Sequence, residues 1–425
     1  MKQAMKQPLT TAHDGWLQQA ANLFSTVACL THDGVGISRE SYGEKETATL
    51  QVLRDWALQQ GLDISTDFAG NGLFTLPGID HAASIICGSH IDSVPQGGNF
   101  DGLAGVVAGL LVLDRLKKEG INAAFKVVAT RGEESAWFGK AYMGSSAILG
   151  KLKPEDLELK NKHSGHTLRE AMADVGADVN AIARGESAPW IASAKAYLEL
   201  HIEQGPLMVA RGWPTAIVSG IRGNVRHNRI VCMGEAGHSG AVPRWLRKDA
   251  VFALADLLMR LDEHWRVLLE RGTDLVVTSG IVSTNPEQNA VSRIPGAVEF
   301  SFEARSQDDE TLEHFYTLMR AECDEVSKMR GVTFVFDRKI VSRPAAMSTE
   351  LVKGLLEASR AAGQPSETMP SGAGHDAAMF ANAGIPSGMI FVRNENGSHN
   401  PQEAMDLRDF VAGVEILYRT VRGMQ

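Results

Sequence analysis

Short apolar runs alternate with longer helical segments through the first half of the chain. Residues 82–88, 123–130 and 195–200 have the length and apolar content of buried strands, and residues 103–118 predict a helix with a mostly apolar surface. Strands that alternate with helices in this way form a largely parallel sheet with helices on both faces. The pattern therefore predicts an α/β fold.

The pattern changes in the middle third of the chain. Residues 229–233 and 298–303 predict half-exposed strands, and residues 248–261 and 309–329 predict helices. These elements are fewer and more amphipathic than those of the first half. Such a pattern is typical of a small two-layer α+β domain.

The earlier alternation resumes after about residue 341. Residues 349–362 predict a helix, residues 387–392 a strand, and the last segment another helix. A chain of 425 residues also exceeds what one hydrophobic core normally supports. We therefore expect residues 215–341 to form a domain inserted into one made of residues 1–214 and 342–425. Each boundary should lie within about ten residues of these positions.

The charge balance excludes several kinds of partner. The formal net charge is -9, and the main local group of basic residues is the short cluster Arg222, Arg226 and Arg229, so we expect no nucleic-acid surface. No apolar window has the length of a membrane span, and residues 1–9 lack the apolar core of a signal peptide. The expectation is a cytoplasmic protein that binds neither nucleic acid nor membrane.

The cysteines point away from disulfide and thiolate chemistry. Cys29, Cys87, Cys232 and Cys323 are widely separated and show no Cys-x-x-Cys spacing. Neither a disulfide framework nor a thiolate zinc site is therefore expected, and we predict four buried thiols.

Polar residues of metal-ligating type follow four of the predicted strands. In an open parallel sheet the carboxyl ends of the strands lie along one edge, so residues far apart in sequence converge there. Imidazole and carboxylate without thiolate suit zinc, manganese, cobalt or nickel. A metal site is therefore predicted at this edge, from His90 and Asp101, Glu133 and Glu134, His201 and Glu203, and His399.

Separate roles are expected for the acidic residues. Asp101 is the candidate bridge between two ions, because the loop before it leads back toward His90, and a carboxylate can bridge where an imidazole cannot. Asp92 is expected to accept a hydrogen bond from His90 and fix its tautomer. Of the adjacent Glu133 and Glu134, one should bind metal and the other act as base toward a metal-bound water. These considerations do not decide which is which.

Six motifs follow one another along the chain: GSHIDSVPQGGNFDG (88–102), Glu133-Glu134, ELHIEQGP (199–206), GHSGAVP (237–243), SGAGHDA (371–377) and SHNP (398–401). With them the chain resembles the hydantoinase/carbamoylase amidase family, within the larger dinuclear-metal superfamily of aminoacylases and exopeptidases. That family includes N-carbamoyl-L-amino acid hydrolases, allantoate amidohydrolases and β-ureidopropionases. The resemblance runs from about residue 15 to the C-terminus.

The resemblance implies a ligand set and a reaction. Two divalent ions, zinc or manganese with cobalt and nickel as alternatives, would be bound, and Glu133 would be the general base. A metal-bridging hydroxide would attack a ureido or amide carbonyl, and Glu133 would pass the proton to the leaving nitrogen. The implied ligands are His90, Asp101 and His201 for one ion, and Asp101, Glu134 and His399 for the other.

The resemblance also implies a substrate pocket. Gln204, Gly374 and His375 would face the substrate. Arg305 matches the arginine of the family's Asp-x-Arg motif and would clamp the substrate carboxylate with its guanidinium fork. The alternative for Arg305 is an ion pair with Glu303 or Glu299 on the same sheet.

The inserted domain is implied to complete the active site of a second subunit. His238 would reach the partner's site and stabilise the developing oxyanion. We therefore expect a lid and dimerisation domain, and a homodimer whose lids close on substrate and exclude water.

Departures from the family pattern leave the substrate open. The family usually has asparagine thirteen residues before the arginine, where this chain has Ser292, with nearby Asn289 as a substitute if the loop bends differently. Ser135-Ala-Trp137-Phe138 replaces a common Gly-x-Arg-Phe, and Trp245 stands in an altered lid motif. We expect an N-carbamoyl amino acid as substrate, with allantoate or an N-acyl amino acid as the alternative.

Two other classes of function compete with a hydrolase. GAGHDA (372–377) fits the dinucleotide fingerprint and would indicate an NAD-binding oxidoreductase. It follows Thr368-Met-Pro370-Ser371 rather than an apolar strand, and proline is unsuited to a strand that feeds a pyrophosphate-binding helix. A metal-binding protein without catalysis would lack a ligand or the base, and none is missing. A metal-dependent hydrolase is the favoured interpretation.

Overall fold

The computed structural model describes residues 11–80 and 83–424. The described residues up to Ser219 and from Ala346 onward form one compact unit, and Gly220–Ala345 form the other. Two expectations fall outside the described residues: the absence of a signal peptide in residues 1–9, and Ala82 as the start of the first predicted strand. Within the described part, no helix combines the length and the apolar character needed to cross a membrane.

The first unit begins with helices and then alternates strands with helices. Helices α1 and α2 and the short strands β1 and β2 precede the first strand that the sequence pattern predicts. The elements are α1 (Thr11–Thr31), α2 (Glu44–Gln59), β1 (Asp63–Thr66), β2 (Gly72–Thr75), β3 (Ile85–His90), α3 (Leu103–Lys118), β4 (Phe125–Thr130), α4 (Ser135–Phe138), α5 (Met143–Ile148), α6 (Leu168–Asp174), α7 (Val179–Ala183), β5 (Ala196–Ile202), α8 (Leu207–Arg211) and β6 (Thr215–Ile221).

The second unit contains a sheet and two long helices. Its elements are β7 (Gly223–Met233), β8 (Gly237–His238), α9 (Ala250–Glu270), β9 (Val276–Thr278), β10 (Val282–Ser283), β11 (Arg293–Ile294), β12 (Ala297–Ser306), α10 (Asp309–Arg330), β13 (Thr333–Phe336) and β14 (Ile340–Ser342). The chain then continues with β15 (Ala345–Ala346), α11 (Thr349–Ala361), β16 (Thr368–Ser371), α12 (Asp376–Ala381), β17 (Ser387–Val392) and α13 (Leu407–Gly423).

Four parallel strands form the centre of the large sheet. Its order includes β1-β2-β4-β3-β5-β17-β6, and β4, β3, β5 and β17 run parallel to one another. At the two sides of these four strands, β2 pairs antiparallel with β4 and β6 pairs antiparallel with β17. Every residue of the four central strands is buried, as expected for a sheet covered on both faces. The predicted α/β fold with a mostly parallel sheet is confirmed.

Helix α3 lies unusually close to the sheet. A Cβ on Gly105 would lie 2.3 Å from the Leu200 carbonyl oxygen, and one on Gly109 would lie 2.9 Å from a methyl group of Val127. Only glycine permits this approach at Gly105, because the obstacle there is backbone. The contact fixes the start of α3 at the end of β3 and β5, directly after Asp101.

The second unit has the predicted two-layer α+β arrangement. Its antiparallel sheet has the order β10-β12-β7-β13, with β14 paired to β7 and β9 paired to β12. The apolar faces of α9 and α10 share one core with the sheet, including Leu257, Phe300, Phe315 and Met319. Along β12 buried residues alternate with half-buried ones, as in a sheet packed on one face only.

Some elements are longer than predicted, and one cysteine predicted to be buried is exposed. Strand β7 begins at Gly223, six residues before the predicted start, because its outward face carries Arg226 and other polar residues that an apolar run does not include. Helix α9 continues to Glu270. The prediction of four buried thiols is wrong for Cys29, which is exposed, and the other three are buried.

Candidate metal and active site

The candidate ligands meet at the carboxyl edge of the central strands. His90 is the last residue of β3, Glu133 and Glu134 follow β4, His201 lies near the end of β5, and His399 follows β17. Asp101 comes at the end of the loop that joins β3 to α3. Because the four strands are parallel, their loops leave the sheet at the same edge and bring these side chains together.

The two carboxylate oxygens of Asp101 face different histidines. Oδ1 lies 3.1 Å from His201 Nε2 and 3.6 Å from His90 Nε2. Oδ2 lies 3.4 Å from His399 Nε2, which is itself 3.2 Å from Glu134 Oε1. Asp101 therefore stands between one group made with His90 and His201 and a second made with His399 and Glu134. In each group the ligand atoms lie within 4.8 Å of one another.

The donor atoms fit divalent cations. His201 Nδ1 lies 2.9 Å from the Ile202 carbonyl oxygen, and its Nε2 lies 3.2 Å from the Gly102 N–H, so the ring donates through Nδ1 and keeps a lone pair on Nε2. Asp101 Oδ1 is buried and accepts no hydrogen bond. A lone pair and a carboxylate oxygen that face each other in a buried site are the arrangement that a cation stabilises.

Glycine is required at the entrance to α3. Gly102 has φ 68°, and a Cβ there would lie 2.5 Å from the ring of His90. Both the left-handed backbone and the missing side chain let Asp101 turn back toward the imidazoles.

Asp92 ties the His90 strand to the glutamate pair. Its carboxylate lies 3.2 Å from His90 Nδ1, where it can fix the tautomer that leaves Nε2 unprotonated. Oδ1 accepts the N–H of Glu133 at 3.0 Å, and Oδ2 accepts the N–H of Glu134 at 3.1 Å and the hydroxyl of Ser41 at 2.6 Å. One buried carboxylate thus orients His90 and both glutamates.

The two glutamates occupy different surroundings. Glu134 faces His399, whereas Glu133 belongs to a group with His90 and Glu134. Burial raises the pKa of Glu133 well above its usual range, and the neighbouring Glu134 and Asp376 add to the rise while His90 opposes it. A raised pKa makes a carboxylate a stronger proton acceptor.

Glu203 plays a structural part. Its two carboxylate oxygens accept the N–H groups of Leu207 and Met208 at 2.7 and 2.8 Å, at the start of α8. Unlike Asp101, Glu133 and Glu134, it belongs to none of the candidate ligand groups found among the described residues.

Gln204 and His375 lie beside the candidate ligands. Gln204 Nε2 donates to Asp101 Oδ2 at 2.8 Å, and the His375 ring lies 4.4 Å from the His201 ring. Burial and the nearby His201 lower the pKa of His375 well below its usual range, so its ring is neutral. Its Nε2 lies 2.8 Å from the Ser371 hydroxyl.

Tyr142 is a further residue of this region that the sequence pattern does not reveal. Its N–H donates to the Glu133 carbonyl at 2.9 Å, and its backbone is left-handed, with φ 62°. A Cβ on Gly374 would lie only 1.6 Å from the Tyr142 hydroxyl oxygen. The tyrosine therefore packs tightly between the segment of the candidate base and the Gly374–His375 loop.

Ser398 and Glu403 also approach the candidate bridge. The Ser398 hydroxyl lies 2.5 Å from Asp101 Oδ2 and 2.8 Å from Glu403 Oε2. Ser398 precedes His399 in a recognised motif, which is the one signal in the sequence that could have identified it.

The remaining candidates, His238, Asn289, Ser292 and Arg305, belong to the second unit. His238 is exposed, and its Nδ1 accepts the Gly240 N–H at 3.1 Å. Ser292 lies beside it, because the Ser239 N–H donates to the Ser292 carbonyl at 2.8 Å, and Asn289 lies in the exposed segment before Ser292. Arg305 pairs with Glu303 through Nε and Nη2, at 2.9 and 3.0 Å, as the alternative interpretation of this arginine expected.

The structure argues against dinucleotide binding at GAGHDA (372–377), but for a different reason from the one expected. Thr368–Ser371 does form a strand, β16, contrary to expectation. However, α12 begins at Asp376 and its Ala377 N–H donates to the buried carboxylate of Glu199 at 2.8 Å. A carboxylate therefore occupies the place that a pyrophosphate would need at this helix N-terminus.

Known proteins share this fold and sequence over nearly their whole length. The pattern of peptidase family M20/M25/M40 matches residues 86–423. The N-carbamoyl-L-amino acid amidohydrolase of Geobacillus stearothermophilus is 33% identical over 390 residues, covering 91% of this chain and 93% of that protein. The allantoate amidohydrolase of Escherichia coli (strain K12) is 32% identical over 392 residues, covering 90% and 91%. The solved structure of an amidase of the hydantoinase/carbamoylase family from Burkholderia multivorans has a TM-score of 0.86 at 27% identity, covering 95% and 97%.

The fold and the clustered imidazoles and carboxylates define a metal-dependent hydrolase. The chain belongs to peptidase family M20/M25/M40. The predicted resemblance to hydantoinase/carbamoylase amidases is confirmed, as is the prediction of a hydrolase that acts on carbon–nitrogen bonds other than peptide bonds.

The contact between Gly374 and Tyr142 gives a direct test of the site geometry. We expect Gly374→Ala to lower kcat/KM by about tenfold to a hundredfold, because the new methyl group displaces the Tyr142 hydroxyl next to the Glu133 segment. The nearest ring carbon of Tyr142 is 2.9 Å from the Cβ position, so Gly374→Ala combined with Tyr142→Phe should recover part of the loss. Steady-state kinetics on the purified variants measures both effects.

Tyr418→Phe is the matched control for loss of a hydroxyl, since Tyr418 belongs to α13 and bonds Glu119 instead. It should give no recovery in the Gly374→Ala background. A double variant no better than Gly374→Ala alone would show that the close approach to Tyr142 is not the cause.

Proposed function

We propose that this protein hydrolyses the carbon–nitrogen bond of an N-carbamoyl amino acid, and that the residues grouped around Asp101 would hold two divalent cations. Zinc or manganese is the favoured metal, and cobalt and nickel are the alternatives. The observation that carries the proposal is the placement of Asp101, whose two oxygens each face a separate set of candidate ligands. The named N-carbamoyl-L-amino acid amidohydrolases among the relatives support the substrate class.

The proposed ligands are those of the two groups described above. His90, Asp101 and His201 would hold one cation, and Asp101, Glu134 and His399 the other. When bound, such cations supply Lewis acidity toward the ureido carbonyl and the attacking water.

Glu133 is the proposed general base. Its backbone is fixed by Asp92, and burial makes its carboxylate a ready proton acceptor. It would take the proton of the attacking water and deliver it to the leaving nitrogen. For a carbamoyl substrate the products are a free amino acid, ammonia and carbon dioxide.

The proposed substrate-binding residues are those of the family resemblance. Gln204, Gly374 and His375 would contact the substrate next to the cations, and Asn289 or Ser292 would take the place of the family's asparagine. Arg305 would hold the carboxylate, with Glu303 fixing the plane of its guanidinium. His238 of the partner subunit would stabilise the oxyanion, so the proposed active form is a homodimer. The proposed location is the cytoplasm.

Allantoate is the second candidate substrate. The allantoate amidohydrolases of Escherichia coli and Bacillus subtilis are each 32% identical to this chain, close to the 33% of the Geobacillus stearothermophilus carbamoylase. Sequence identity therefore does not separate the two, and N-acyl amino acids remain a third class to test.

A metal-reconstituted substrate screen tests the proposed reaction. We expect release of both amine and ammonia from at least one N-carbamoyl amino acid, and loss of activity on removal of metal by chelation. Allantoate, ureidopropionate and N-acetyl amino acids form the comparison set. Release of amine without ammonia, from acyl substrates alone, would contradict the carbamoyl assignment and favour an aminoacylase.

The variant Glu133→Gln tests whether Glu133 acts as the general base and not as a metal ligand. We expect kcat to fall by about a hundredfold or more, because proton transfer is lost while the shape of the side chain is kept. Metal content per subunit, measured by inductively coupled plasma mass spectrometry, should stay at the wild-type value. Full turnover in this variant would remove Glu133 from the mechanism.

A mixed dimer tests the action of His238 across subunits. His238→Ala and Glu133→Gln should each be nearly inactive, yet their hybrid contains one site with an intact Glu133 and an intact His238 of the partner subunit. Random pairing should restore about a quarter of the wild-type activity. Mixing Glu133→Gln with the double variant should restore none. A fully active monomer, or no recovery in hybrids shown to form, would overturn the proposed assembly.

A further inference from the structure

Arg39 is a buried arginine whose hydrogen bonds go to neutral oxygens. Its side chain has no exposed surface, and it lies in the loop between α1 and α2. Nε donates to the Ile91 carbonyl at 2.7 Å, Nη1 to Asn99 Oδ1 at 3.1 Å and Nη2 to the Asp101 carbonyl at 3.4 Å. Burying a guanidinium is costly, so this placement requires compensation from the surroundings.

The three acceptors belong to the loop that carries the candidate ligands. Ile91 lies between His90 and Asp92, and Asp101 ends the loop. The backbone of Arg39 is fixed to the same loop, because its N–H donates to the Ser93 hydroxyl at 2.9 Å and its carbonyl accepts the Ser93 N–H at 3.0 Å. One residue therefore fastens both ends of the loop.

Asp101 is held at both of its peptide groups. Arg39 binds its carbonyl, while Glu403 Oε1 accepts the N–H of Asp101 at 3.3 Å and that of Phe100 at 2.8 Å. Because the guanidinium bonds the backbone oxygen, it supplies positive charge near Asp101 without binding the carboxylate oxygens. Those oxygens stay directed at the imidazoles, where a cation would bind.

The charges around Arg39 explain why the guanidinium is tolerated there. Burial lowers the pKa of Arg39, and the carboxylates of Glu403, Asp92 and Asp101 oppose that effect. The arginine and the acidic loop therefore stabilise each other before any cation binds.

We propose that Arg39 is a positioning residue that holds the 91–101 loop in the shape required to bind cations, and so sets the metal affinity of the site. This inference rests on the proposed metal site, and arginine suits the task because its fork reaches several oxygens at fixed angles. A lysine would keep the charge but lose the fork.

Metal binding by the metal-free protein tests the role directly. We expect Arg39→Met to weaken binding of Zn²⁺ and of Mn²⁺ by about tenfold to a hundredfold, measured by chelator competition and calorimetry. Arg39→Lys should fall between Arg39→Met and wild type. With saturating metal, kcat should recover toward the wild-type value, which a catalytic role would not allow.

Arg393→Met is the matched control. Arg393 lies in the same unit and pairs with Asp409 at 2.8 Å, away from the 91–101 loop. Its loss should leave metal affinity unchanged. Circular dichroism and thermal unfolding establish that each variant is folded.

Asn99→Ala keeps the test decisive if Arg39→Met fails to fold, because it removes one acceptor of Arg39 and leaves the arginine in place. It should weaken metal binding in the same direction by a smaller factor. Wild-type affinity in folded Arg39→Met, or in both Arg39→Lys and Asn99→Ala, would overturn the role of Arg39. A wild-type protein that binds no metal would instead overturn the proposed site.

Discussion

The arrangement of the first unit depends on keeping several carboxylates together at one buried edge of a sheet. Asp92, Asp101, Glu133, Glu134 and Glu199 all lie there with little or no exposed surface. Like charges in such surroundings repel strongly, so each carboxylate must be held by directed hydrogen bonds. Asp92 is held by two glutamate N–H groups, and Glu199 by the Ala377 N–H and the Ser89 hydroxyl. A bound cation would relieve the repulsion that remains and would thereby couple metal binding to the stability of the fold.

Behind the candidate ligands, the buried carboxylates of Glu199 and Asp376 must likewise be held by hydrogen bonds. Burial raises the pKa of Glu199 to about 7, and the neighbouring Asp376 adds to the rise. Glu199 joins β5 to α12, while Asp376 accepts the hydroxyl of Ser145 at 2.5 Å and also bonds Thr130. These bonds fix the start of α12, and with it the loop of Gly374 and His375, relative to the strands that carry His201 and Glu133. The Gly374–His375 loop is therefore held by buried carboxylates that lie next to the candidate metal ligands.

Strand ends and motifs predict those parts of the candidate site that do not depend on the conformation of the loops. A buried run followed by histidine or a carboxylate places His90, His201 and Glu134 at the sheet edge whatever the details of the loops. The strand-end pattern did not predict the position of the Glu203 carboxylate, which depends on backbone conformation. Glu203 directly follows β5, which carries His201 near its end, but its carboxylate accepts N–H groups at the start of α8. The position of Tyr142 in this region could not be predicted for the same reason, because an apolar pattern does not indicate its left-handed φ of 62°. Gln204 and His399 share that conformation, with φ of 64° and 61°, but motifs identified them.

The departures from the family pattern do not all bear on the substrate. Trp137 stands where an arginine is common, but its indole is buried, donates to the Ser93 carbonyl at 2.7 Å and packs against His163. The Trp137 side chain therefore packs behind the loop that follows His90 and stabilises that loop. It does not form a pocket wall. Ser292 and Asn289, by contrast, lie in an exposed segment beside His238, where a side chain is available to a ligand. Of these departures, the one at Ser292 therefore leaves a side chain accessible to a ligand, whereas the one at Trp137 does not.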